Sequence, residues 1–166
     1  ILDCWSGRFE CDKTFFRRVW QPGTAILQFT DFRPFYEILS WYEDTYKIKV
    51  NTLDDWMQLL DLELEDNLSN GIIALKCTIA YHRSLYFPKV DYKTAYDAFQ
   101  DTLDIWKKEG FDPKAIVRFP ETVQNFMMHY VLKKANEKSL TFQFHTGLQE
   151  GNNNTITNSD PALMTN

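Results

Sequence analysis

The pair Asn70-Gly71, followed without a break by Ile72-Ile73-Ala74-Leu75-Lys76-Cys77-Thr78-Ile79, constrains the fold more than any other stretch of this chain. Asn-Gly is a helix stop, because glycine adopts positive φ without a Cβ clash. The helix it stops is legible upstream. Asn51 or Thr52 is a cap, and Asp54 and Asp55 complement the helix dipole in the first turn. Leu53, Trp56, Met57, Leu60 and Leu64 form the apolar stripe. The apolar, β-branched run that follows reads as a strand buried on both faces, which is the pattern of a parallel sheet.

The rest of the chain repeats that alternation. The segment from Lys13 to Trp20 reads as a helical piece, and Gln21-Pro22-Gly23 as a turn. Thr24 to Thr30 reads as a strand, with Gln28 and Thr30 on one face. A helix is expected from Pro34 to about Tyr46, with proline tolerated in the first turn. Tyr81 to Asp91 is expected as a loop and Tyr92 to Lys108 as a helix. Phe111 to Phe119 reads as irregular, with Ile116-Val117 as a small strand. Pro120 and Glu121 open a helix whose stripe is Val123, Phe126, Met127, Tyr130 and Val131. It runs to about Lys138. Leu140 to Gly147 is then a strand with Leu140, Phe142 and Phe144 on one face and Thr141, Gln143 and His145 on the other.

Strands separated by helices imply an α/β fold with parallel strands and helical crossovers. A closed (β/α)8 barrel needs eight strands and typically about 250 residues, more than 166 residues supply. At the far end Ser159-Asp160-Pro161 reads as a helix start, followed by one turn to Asn166. A lone turn is costly to nucleate. The expectation is an internal segment of a longer protein.

Composition narrows the function. Hydrophobic residues make up 44% and aromatics 16%, which favours a packed core over disorder. The net charge of −5 gives no electrostatic support for a nucleic-acid or anionic-membrane partner. No apolar run approaches the roughly 20 residues that span a bilayer. Cys4, Cys11 and Cys77 are odd in number and irregularly spaced, which points to reduced thiols and a cytoplasmic protein. No phosphate-binding loop, dinucleotide fingerprint or H-E-x-x-H motif occurs.

The candidate chemistry sits at the ends of the expected strands. A lysine inside an apolar strand costs several kcal/mol to bury unless it is paired, neutralised or modified. Lys76 is therefore either half of a structural ion pair or a functional group. His145 ends a polar strand face, where an imidazole needs a partner. Arg83, just beyond the Lys76 strand, has a guanidinium suited to a bidentate grip on a substrate carboxylate. His82 and His129 are expected to face solvent without a role.

Two segments together carry a resemblance. Gly71 to Leu85, ending Ala80-Tyr81-His82-Arg83-Ser84-Leu85, is similar to a strand-and-loop element of amidohydrolase-related proteins. Gln143-Phe144-His145-Thr146-Gly147, followed by a loop and Asp160-Pro161, resembles a second such element. The resemblance implies a metal-dependent hydrolase on a (β/α)8 TIM barrel, of which residues 1–166 would span about strands two or three to five. It implies one or two divalent ions, zinc being favoured, with His145 as a metal ligand. It also implies Lys76 as a catalytic or metal-bridging lysine, and Arg83 and Thr146 as substrate-binding residues. The implied partner is a small, anionic substrate, and a homo-oligomer is compatible. The family's H-x-H and late Asp are absent, so this segment alone is expected to be inactive. Uronate isomerases and decarboxylases share the superfamily, and a non-catalytic α/β interaction domain remains the alternative outside it.

Overall fold

The computed structural model describes residues 2–4, 12, 14–22, 35–108, 119–148 and 155–165. Among the described residues four strands form one sheet: β1 (Leu2–Cys4), β2 (Arg18–Trp20), β3 (Ile72–Cys77) and β4 (Thr141–Phe144). They lie side by side in chain order, and every pairing is parallel. Parallel neighbours need a crossover. From β2 to β3 the chain passes through α1 (Phe35–Tyr46) and α2 (Leu53–Ser69). From β3 to β4 it passes through α3 (Tyr92–Lys108) and α4 (Glu121–Glu137).

Local chemistry explains the helix ends. Thr52 caps α2 in a reciprocal box. The Asp55 amide donates to Thr52 Oγ1 at 3.2 Å, and the Thr52 amide donates to Asp55 Oδ2 at 2.9 Å. Gly71 closes the connection with φ of +83°, so the strand starts one residue after the turn. The expected helices at 34–46, 92–108 and 120–138 form with ends shifted by a residue or so.

The helices pack on one face of the sheet. Leu75 of β3 is wholly buried there, in one core cluster with Trp56, Phe99 and Phe119. The Trp56 and Phe119 rings meet edge-on at 5.5 Å, and Phe99 stacks on Phe119 at 4.7 Å. Such aromatic pairs add to the burial of area. Farther out, Asp61 of α2 ties the layer to α4. Its Oδ2 accepts from Tyr130 Oη and from Lys134 Nζ, each at 2.8 Å.

Three expectations are corrected. The segment ending at Trp20 is not helical: Thr14 and Phe15 form a turn on Asp12, and Arg18–Trp20 is a strand. Pairing with β1 on one side and β3 on the other overrides local helical spacing. Second, β3 is not covered on both faces among the described residues. Leu75 and Cys77 are buried, but Ala74 and Lys76 are half-buried and Ile73 is 44% exposed. Third, strict alternation along Ile72–Ile79 puts Ile73 with Leu75 and Cys77 on the apolar face, whereas Ile72 is the buried residue and Ile73 the exposed one. Arg18 pairs with Ile72 and Val19 with Ala74, so Ile73 is skipped in a bulge. The expected strands at Thr24–Thr30 and Ile116-Val117 lie outside the described residues.

Candidate active site

The carboxyl ends of β3 and β4 carry the site. Lys76 pairs directly with Gln143, and the His145 amide donates to the Cys77 carbonyl at 2.9 Å, carrying the ladder one residue past β4. Side chains alternate along each strand. Lys76, Gln143 and His145 therefore share one face, opposite Leu75, Cys77, Phe142 and Phe144. The apolar face holds its own place: the rings of Phe142 and Phe144 stack at 4.8 Å and pack against the core. This fixes the register, since a one-residue slip would bury Gln143 and expose both phenylalanines.

Loops shape the surroundings. Beyond β3, Ile79–Tyr81 form a 3-10 turn that brings the Tyr81 ring to 5.0 Å from the His145 ring, tilted by 42°. Thr78 Oγ1 donates to Gln21 Oε1 at 3.2 Å, which links the ends of β2 and β3. Beyond β4, Gly147 takes φ of +80° and turns the chain back, so that the Leu148 carbonyl lies 3.2 Å from His145 Nε2. Lys76 and His145 are both half-buried, and Thr146, the next residue in the chain, is exposed.

Arg83 is placed differently from the expected substrate clamp. It is only 8% exposed. Its Nη1 donates to Gln124 Oε1 at 2.9 Å, and its Nη2 donates to Asn125 Oδ1 at 2.8 Å and to the Tyr86 carbonyl at 3.0 Å. Nε donates to the Ser84 carbonyl at 3.3 Å, and the guanidinium lies 4.8 Å from the Phe87 ring centre. Burial lowers its pKa, and Glu121 acts in the opposite sense. A guanidinium committed to four protein acceptors pins the loop after β3 to α4. Gln124 and Asn125 sit between residues of the apolar stripe of α4, and only the chain path shows that they are buried against Arg83.

The remaining titratable candidates sort themselves by burial. Desolvation pushes the Cys77 thiol up to about 12, in keeping with a small buried hydrophobe. His82 is exposed as expected. His129 is not solvent-facing: it is half-buried, with Nε2 2.9 Å from the Phe87 carbonyl. In sequence Tyr81 is only part of a loop motif and Ser159 only part of a helix start, because their contacts here depend on loops meeting in space.

A metal centre is not complete among these residues. No group of three or more His, Cys, Asp or Glu that could hold an ion occurs among the described residues. His145 is one imidazole, whereas zinc takes at least three protein ligands. No helix among the described residues is long and apolar enough to cross a membrane.

Comparison with known proteins adds one structural likeness. A proposed metal-dependent hydrolase from Lactobacillus casei ATCC 334, known from its crystal structure, superposes with a TM-score of 0.59 at 17% sequence identity. The match covers 90% of this chain and 33% of that one. The two share a fold. This chain spans about a third of the length of the protein it matches. No protein-family model and no curated protein sequence matches it.

Proposed function

We propose that the full-length protein is a metal-dependent hydrolase of the amidohydrolase-related kind. In this reading residues 1–166 supply about strands two or three to five of a (β/α)8 barrel. The observation that carries it is the placement of Lys76 and His145 on one face of adjacent parallel strands, at their carboxyl ends. In barrels of this kind that end carries the chemistry. The likeness to the Lactobacillus protein supports the same fold.

The roles follow from the side chains. His145 would be one ligand of a divalent ion, with the others supplied from outside the described residues. Lys76, on the same face, would support or bridge that ion. Thr146, exposed and next in the chain to His145, would contact a small substrate. Arg83 would act at a distance, by holding the loop that carries Tyr81.

The test is metal content of the full-length protein with and without His145→Ala. The expected outcome is a stoichiometric ion in the parent and its loss in the variant. Unchanged metal content would remove His145 from the site. A substrate screen with amides, lactones and uronates then separates hydrolysis from uronate isomerisation.

A further inference from the structure

Ser159 lies far from His145 in sequence, and it is wholly buried at the loop that presents the imidazole. Its hydroxyl lies 2.6 Å from the Gly147 carbonyl and 2.8 Å from the Ile156 carbonyl. Its own carbonyl accepts the Gly147 amide at 3.0 Å. Gly147 is thus gripped through both its N–H and its C=O. The same turn is tied to the loop after β3, because the Leu85 amide donates to the Asn158 carbonyl at 2.9 Å.

The next carbonyl along, that of Leu148, faces His145 Nε2 at 3.2 Å. A carbonyl oxygen only accepts, so Nε2 must carry the proton when the ring is neutral, leaving the lone pair on Nδ1. Leu148 cannot hold this geometry by packing, since its side chain is 84% exposed. Its backbone is fixed instead through Gly147, whose left-handed conformation has no side chain to stabilise it.

We propose that Ser159 is a positioning residue for His145. By clamping Gly147 it holds the Leu148 carbonyl in place and selects the Nε2–H form of the imidazole. The proposal rests on His145 being the working group of the site, but its test is independent of metal or turnover.

The experiment is long-range proton–nitrogen correlation NMR of the histidine-labelled protein, parent against Ser159→Ala, at a pH where the rings are neutral. Three imidazoles are present: His82, His129 and His145. His129 serves as the internal control, because its Nε2 meets the Phe87 carbonyl, away from the Gly147 clamp. The expected result is a single Nε2–H form at His145 in the parent. In the variant that form gives way to a mixture while the His129 signals stay unchanged. An unchanged His145, or an equal change at both rings, overturns the proposal. Failure of His145→Ala to alter metal content would count against the hydrolase reading and leave this clamp standing.

Discussion

Glu63→Gln offers a quantitative probe of how the sheet is fastened to its helices. Glu63 of α2 accepts a hydrogen bond from Tyr42 Oη of α1 at 2.8 Å and another from the Trp20 side chain of β2. Desolvation, with a smaller contribution from Asp66, raises its pKa from 4.5 to about 7 despite those two donors. A carboxyl raised in the folded state binds its proton more tightly than the unfolded chain does. Its contribution to stability is therefore fully present below pH 4.5 and is lost as pH rises through about 7. A separation of about 2.5 pH units corresponds to about 3 kcal/mol. That figure is a ceiling, because part of the residue reaches the surface. Glutamine keeps an acceptor for Tyr42 or Trp20 and carries no charge to desolvate. Urea denaturation at pH 5 and pH 8, parent against variant, isolates the effect, since other carboxylates cancel in the comparison. The variant should be closer to the parent at pH 5 and more stable at pH 8, by no more than about 3 kcal/mol. An equal stability difference at both pH values would refute the reasoning.

Two further outcomes follow from buried groups. Arg83→Lys should lower stability by about 2 kcal/mol or more, because a point ammonium cannot serve acceptors spread around a planar fork; an unchanged denaturation midpoint would show that the pin is dispensable. The Cys77 thiol, pushed up to about 12 by burial, should resist alkylation in the folded protein and react on unfolding. Peptide mapping by mass spectrometry reads this, and rapid native labelling of Cys77 would contradict its burial.

Local signals determined most of the helical framework. The Thr52 box, the Asn70-Gly71 stop and the apolar stripes are interactions between residues a few positions apart, so they are visible in one dimension. The same holds for the two main strands and their parallel sense, because an apolar run between helices has few other places to go. The Lys76–His145 face was legible too, since alternation has a fixed period once the strands are located.

Tertiary structure decided the rest. Arg18–Trp20 is too short to announce itself as a strand and forms because strands on both sides supply its hydrogen bonds. The bulge that turns Ile73 outward depends on how β2 meets β3, which no spacing within β3 encodes. Arg83 reads in sequence as a grip for a substrate carboxylate, because a loop position just beyond a strand gives no sign of what will surround it. The side chains that surround it, Gln124 and Asn125, lie on a helix some forty residues away. Ser159 is the same case: a serine reads as a helix cap in sequence, and only the meeting of two loops gives its hydroxyl the Gly147 carbonyl. Contacts between distant segments depend on the full chain path, and that path is set by packing rather than by any local pattern.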